Sequence, residues 1–213
     1  MLATKFVNTH PFIVMNREVN QLKRILLITG RPGIGKTSVL LRAIEELRAK
    51  GVDIGGMLSR EIREQGVRVG FEIVDFCSGQ KGWLAHASQP VGPKIGKYRV
   101  NLNDLNHVGA VSIRNAAKNN QIIVVDEVGP MELFSQAFRE AVAEAANSGK
   151  PLLGTIHFKA HDSLINLIKN RDDTEIIEVT FENRGRLHSV LVDKVVESLK
   201  KITPTSNSQR EST

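Results

Sequence analysis

Gly30-Arg31-Pro32-Gly33-Ile34-Gly35-Lys36-Thr37 fits the pattern G-x-x-x-x-G-K-[ST] at every defined position. Glycines in such a loop let the backbone curl so that successive N–H groups point inward at phosphate oxygens. Lys36 is placed to reach β- and γ-phosphates, and the Thr37 hydroxyl to ligate Mg2+. Ser38 follows Thr37 and completes the candidate nucleotide contacts of this stretch. A second set lies 90 positions beyond Lys36, where Ile122-Ile-Val-Val125 runs straight into Asp126-Glu127. A buried strand ending in two carboxylates suits metal ligation by the first and water activation by the second. Asp126 is therefore expected beside Thr37 with the Mg2+. Glu127 and Lys36 are the candidate catalytic pair, and Gly129 joins the nucleotide contacts.

The elements around these residues are of the right kind. Arg24-Ile-Leu-Leu-Ile-Thr29 reads as a strand. Lys36 to Lys50 reads as a helix with an apolar stripe of Val39, Leu40, Ala43, Ile44 and Leu47, stopped by Gly51. Strand, glycine loop and helix thus follow in direct succession, and the positive end of the helix dipole falls at the loop. Residues 54–87 alternate apolar and polar positions between the turn signals 63–66 and 78–82, which predicts an antiparallel β extension. Pro90, Gly92, Pro93 and Gly96 predict a long loop over 88–101. Helix is expected over 104–119, strand over 122–125, and a helix capped by Ser135 and ended by Gly149. Strand 152–156, helix 162–169, strand 175–180 and helix 184–201 complete the alternation. The fold class is α/β, a three-layer P-loop sandwich with a mostly parallel sheet. The spacing from Lys36 to Asp126 leaves room for a further strand between their two strands. Residues 1–22 read as an extension, in which Met15 could itself start translation. Residues 23–202 read as the domain and 203–213 as a disordered polar tail.

With these residues in view, the chain resembles the THEP-type nucleoside-triphosphatase family over roughly residues 24–190. The resemblance rests on Gly30–Thr37 and on Asp126-Glu-Val-Gly-Pro-Met-Glu132. It rests also on Arg68-Val-Gly-Phe71, Gly96-Lys-Tyr98 and Glu182-Asn-Arg184. The phosphate loop alone is shared with very many proteins; the D-E-V-G-P-M-E run in this order is far more specific. The resemblance implies Mg2+-dependent hydrolysis of ATP, GTP and pyrimidine triphosphates with little base preference, diphosphates being poorer substrates. It also implies a monomer or weak oligomer. No guanine-reading N/T-K-x-D stretch follows the acidic pair, in keeping with weak base discrimination.

Several residues are weaker candidates. Asn183 and Arg184 lie between the last strand and last helix, where P-loop folds often contact the base, although Asn183 also suits a helix cap. Arg31 is either a second cation for the phosphates or a solvent-facing one. His157, at the end of a strand, could sense the γ-phosphate, but a structural role is the commoner one. Arg171 reads as a surface residue more readily than as an arginine finger. Lys97 and Tyr98 could belong to a lid. The spacing of His107 and His161 fits no metal site.

A formal net charge of +6 suits an anionic partner. With aromatics at only 5% there is no base-stacking pattern, so nucleic acid as a partner has no further support. Cys77 is the sole cysteine, which excludes an intrachain disulfide and fits a reducing cytoplasm; it reads as a half-buried strand residue. No apolar run reaches bilayer length, so no membrane partner is expected. Two other functions share the motifs. One is a small nucleotide or nucleoside kinase, for which Arg60, Arg63, Arg68 and Arg99 could supply a lid. The other is an NTP-gated RNA- or protein-binding module.

Overall fold

The computed structural model describes residues 22–159 and 162–202. The N-terminal extension up to residue 21, His161 and the polar tail lie outside the described residues.

The centre of the fold is a set of strands made almost entirely of aliphatic side chains. β1 (Ile25–Thr29), β7 (Ile122–Val128) and β8 (Leu152–Ile156) are buried nearly throughout. Strands that bury both faces need helices on both sides, and parallel pairing supplies them. β7 pairs with β8, β8 with β1, and β1 with β9 (Thr174–Glu178), all parallel. The period of two divides each strand between two cores. Ile25, Leu27, Ile123 and Val125 face one cluster; Leu26, Ile28, Ile122 and Val124 face the other. The second cluster is covered by α1 (Lys36–Ala49) and α6 (Leu187–Ile202). The first is covered by α3 (Val111–Asn119), α4 (Gln136–Asn147) and α5 (Ser163–Lys169). These are the three layers that the alternation of elements predicts.

β2 (Ile54–Glu64) is the hinge between the two halves of the sheet, pairing parallel with β7 and antiparallel with β3 (Val67–Asp75). The turn between β2 and β3 has Gln65 at φ 48° and Gly66 at φ 79°, a two-residue connection whose twist matches that of the strands. β4 (Lys81–His86), β6 (Tyr98–Val100) and β5 (Lys94–Ile95) continue outward, giving the order β5-β6-β4-β3-β2-β7-β8-β1-β9. The antiparallel extension is therefore as expected. The loop predicted over 88–101 differs, because it contains the β5–β6 hairpin. Strands of two and three residues are too short to show alternation against the surrounding Pro and Gly.

Other boundaries also shift. Helical structure begins at α2 (Leu102–Asp104), capped by Asn101, and runs through a π turn at Leu105–Ala110 into α3. β7 continues through Asp126-Glu127 to Val128. Cys77 lies in the exposed turn after β3 rather than in a strand, with Asp75 Oδ1 accepting from its backbone N–H. α6 starts at Leu187, three residues later than its apolar pattern suggests, because Asn183 organises a separate turn.

Ser135 joins two elements. Its hydroxyl accepts from the Phe138 amide at 2.9 Å, capping α4, and meets Asn106 Oδ1 of the π turn at 2.5 Å. Ser135→Ala removes both contacts from a buried position. It should lower the unfolding free energy by about 1–2 kcal/mol, read as a lower urea midpoint at unchanged slope. An unmoved midpoint would show that the cap adds nothing.

Candidate active site

Parallel pairing brings the C-terminal ends of β1, β8 and β7 to one edge of the sheet, and β8 stands between the other two. Thr29 Oγ1 donates to the Ile156 carbonyl at 3.3 Å, and Thr155 Oγ1 donates to Asp126 Oδ1 at 2.6 Å. These contacts tie the edge together. The glycine loop leaves it from β1, with φ of 148° at Gly30, 75° at Gly33 and 106° at Gly35. A Cβ at Gly30 would stand 2.9 Å from the Val179 carbonyl oxygen, so the loop begins in close backbone contact with the segment after β9. Ile34 is buried in the α1–α6 core and anchors the middle of the loop. Arg31, Pro32 and Gly33 are exposed, as are Thr37 and Ser38. No side chain caps the first turn of α1, which leaves its amides to face the loop's concave side. Lys36 folds back, its Nζ donating to the Gly30 carbonyl at 3.3 Å.

Asp126 is 1% exposed, and its Oδ2 has no hydrogen-bond partner among the described residues. Burial raises its pKa to about 6 against the hydroxyls of Thr155 and Thr37, which favour the charged form. Burial also raises the pKa of Glu127, while the Lys36 ammonium opposes the shift. Glu127 Oε1 likewise has no partner among the described residues. His157 is pushed down by burial and by the charges of Lys36 and Lys159. Its N–H donates to the Val128 carbonyl at 3.1 Å. The structure therefore brings Lys36, Thr37, Asp126, Glu127 and His157 together.

Gly129 is the point of closest approach. A Cβ built there would lie 3.1 Å from Glu132 Oε2, 3.5 Å from His157 Cβ and 3.6 Å from Glu127 Cγ. Glu132 itself is buried, and burial pushes its pKa up to about 8; the nearby charges of Glu127 and Asp126 act in the same direction. Sequence reasoning quoted Glu132 only as part of a motif. Its one local signal was a carboxylate six residues from Asp126 in a turn otherwise apolar. Thr155 was missed altogether, because its partner lies on a neighbouring strand.

Other candidates fall elsewhere. Asn183 Oδ1 accepts from the Thr180 amide at 2.9 Å and its Nδ2 donates to the Glu178 carbonyl at 2.8 Å, so its side chain is spent on the turn after β9. Arg184 is exposed, its guanidinium 4.9 Å from the centre of the Phe181 ring. Arg171 pairs with Asp173 at the opposite, N-terminal end of the strands. Tyr98 is 5% exposed and belongs to the larger core, which is incompatible with a place in a lid. Arg60 pairs with Glu72, Arg63 and Arg68 both pair with Glu61, and Arg99 donates to the Gly92 carbonyl. The described residues contain no cluster of three or more His, Cys, Asp or Glu that could hold a metal. No helix among them is long and apolar enough to cross a membrane.

A glycine loop between β1 and α1, faced across one intervening strand by the buried Asp126 and half-buried Glu127, defines a P-loop nucleotide-binding protein of the α/β class. A family model described as NTPase matches residues 25–200. Nucleoside-triphosphatase THEP1 of Thermofilum pendens is 42% identical over 170 residues, covering 79% of this chain and 93% of that protein. Its counterpart from Methanosarcina acetivorans is 39% identical over 175 residues, covering 82% and 98%. A solution structure of a human cancer-related nucleoside triphosphatase superposes with a TM-score of 0.71 at 35% identity, covering 82% of this chain and 98% of that one. The crystal structure of THEP1 from Aquifex aeolicus superposes with a TM-score of 0.70 at 27% identity, covering 80% and 98%. The chain belongs to the THEP1 nucleoside-triphosphatase family.

A buried carboxyl with a raised pKa makes stability depend on pH. Between the ordinary value of 4.5 and about 8, the folded state keeps the Glu132 proton that the unfolded state has lost. Stability is then full below the lower value and falls as pH rises toward the upper one. Glu132→Gln, which cannot ionise, should flatten this decline. Denaturant midpoints at pH 5 and pH 8 for both proteins measure it; an equal fall in both would place the titration elsewhere.

Proposed function

We propose that this chain hydrolyses nucleoside triphosphates to the diphosphate and inorganic phosphate, with Mg2+ and with little preference among bases. The observation that carries this reading is the pair of carboxylates, Asp126 buried and Glu127 half-buried, with buried oxygens Asp126 Oδ2 and Glu127 Oε1 that have no partner among the described residues, close enough to Lys36 for its charge to act on both. An orphaned buried oxygen beside the Thr37 hydroxyl fits a hard cation. Mg2+ is commonly held by one or two protein oxygens together with substrate phosphates. Thr37 and Asp126 would hold the ion, whose chemistry there is to neutralise charge on the β- and γ-phosphates.

The chain's own groups account for the rest. The loop amides and the start of α1 bind and orient the phosphates. Lys36 leaves the Gly30 carbonyl for the β- and γ-oxygens. Glu127 takes a proton from the attacking water as its oxygen bonds to the γ-phosphorus. The bond from that phosphorus to the β–γ bridging oxygen breaks, and the nucleoside diphosphate departs. Burial raises the Glu127 pKa, which makes its carboxylate a stronger base for this task than an ordinary one. The arginines that a kinase lid would need are already engaged within the fold, so hydrolysis is favoured over transfer to an acceptor.

The neighbouring carboxylates should fail in separable ways. Glu127→Gln should leave NTP affinity nearly unchanged and lower single-turnover hydrolysis by about 10²–10⁴-fold, the range for a general base. Asp126→Asn should lose activity that high Mg2+ partly restores. Titrating Mg2+ against NTP affinity and single-turnover rate in both variants decides the matter; normal turnover by Glu127→Gln would transfer the role to another group, with His157 the first to test.

Base preference follows from binding through phosphates. The values of kcat/KM for ATP, GTP, CTP and UTP should lie within about a hundredfold of each other, or about 3 kcal/mol. A wider spread would require a base-reading contact.

A further inference from the structure

Glu132 has no part in the chemistry above, yet it buries a carboxyl close to that chemistry. It stands at the start of the 3-10 turn Glu132–Phe134, and it is 5% exposed. Burying a carboxyl costs free energy that an apolar side chain of similar size would not incur. The compensation must lie in what the group faces. It faces its own amide and the backbone of Gly129: both amides favour the charged form, its own the more strongly, and Oε2 is 3.1 Å from the position of a Gly129 Cβ. Gly129 in turn lies against Glu127 Cγ and His157 Cβ.

The ends of this turn are held by backbone hydrogen bonds. His157 N–H donates to the Val128 carbonyl and Leu133 N–H to the Gly129 carbonyl, both at 3.1 Å. Neither bond engages the amide side of Gly129, which is the side the Glu132 carboxyl occupies. The 3-10 turn is itself anchored, since Arg139 donates to the Leu133 carbonyl and makes a bidentate pair with Asp162. The anchored turn thus holds the Glu132 carboxyl against the Cβ position of Gly129, which is also 3.6 Å from Glu127 Cγ.

We propose that Glu132 is a positioning residue for Glu127: its buried carboxyl, wedged against the Gly129 backbone, sets where the Glu127 carboxylate stands relative to the γ-phosphate. This rests on the hydrolase reading above. Displacing a catalytic group by about 1 Å can cost about a hundredfold in rate. Ground-state binding through the phosphate loop does not pass through this turn, so the loss belongs to kcat and not to KM.

Steady-state hydrolysis of ATP by the full chain tests this, with stability measured in parallel. Glu132→Leu should fold with a Tm at or above that of the unmodified protein, while kcat falls about 10- to 100-fold and KM stays within about threefold. Glu132→Gln keeps an oxygen for the Gly129 amide and should restore most of the turnover. Should Glu132→Leu fail to fold, Gly129→Ala puts a methyl group 3.1 Å from Glu132 Oε2, disturbing the same contact, and should show the same loss in kcat alone. Near-normal kcat in a folded Glu132→Leu or Gly129→Ala protein would overturn the proposal. So would a Glu132→Gln protein as slow as Glu132→Leu. If the unmodified chain released no phosphate from any NTP, the hydrolase reading would fall and this inference with it; unmodified turnover with unaffected variants would remove the positioning role alone.

Discussion

The parallel pairing of β8 with both β1 and β7 is the constraint on which the site depends. Each of the three strands contributes from its C-terminal end. β1 delivers the glycine loop, β7 delivers Asp126 and Glu127, and β8 delivers Thr155 and then His157. Thr155 is buried, and its hydroxyl donates to Asp126 Oδ1. One oxygen of Asp126 is thereby oriented by the sheet, and the other is left for the loop side. A slip of one residue between β7 and β8 would turn Thr155 away and reverse the faces of Ile123 and Val125. Register and site geometry are thus held by the same core contacts.

Electrostatics at this edge oppose one another. The Lys36 ammonium acts on the carboxyls of Asp126 and Glu127, and the charges of those two act on Glu132. Burial disfavours the charge on each carboxyl; repulsion from Glu127 adds to that effect at Asp126, and repulsion from Glu127 and Asp126 adds to it at Glu132. Lys36 offsets part of this at Asp126 and Glu127. This edge therefore holds carboxyls of raised pKa, Asp126 at about 6 and Glu132 at about 8, whose ionised forms a bound cation would favour.

The antiparallel half of the sheet has a different character. Its charged residues pair across strands, Arg60 with Glu72 and Arg68 with Glu61, on surfaces open to water. Such pairs add little stability each. The half is held instead by the burial of Ile73, Leu84, Tyr98 and Val100 against the helical segment 102–119. It lengthens the sheet on the side away from β1.

Local pattern was enough to read the phosphate loop, the strand before it, the helix after it and the acidic pair. Their signals are short: glycine spacing, aliphatic runs, and the change of period from two to 3.6. The need for a strand between β1 and β7 was also legible, from the distance in sequence between Lys36 and Asp126. Tertiary structure alone decided which side chains meet across strands. It set Thr155 against Asp126 and Glu132 behind Gly129, and it carried Arg171 to the opposite end of the sheet. It also committed Asn183 to its own turn, where sequence left a nucleotide contact open, and put Tyr98 in the core. Such proximities depend on strand order and register. Both follow from the sum of core burial over the whole chain, and no window of neighbouring residues contains that sum.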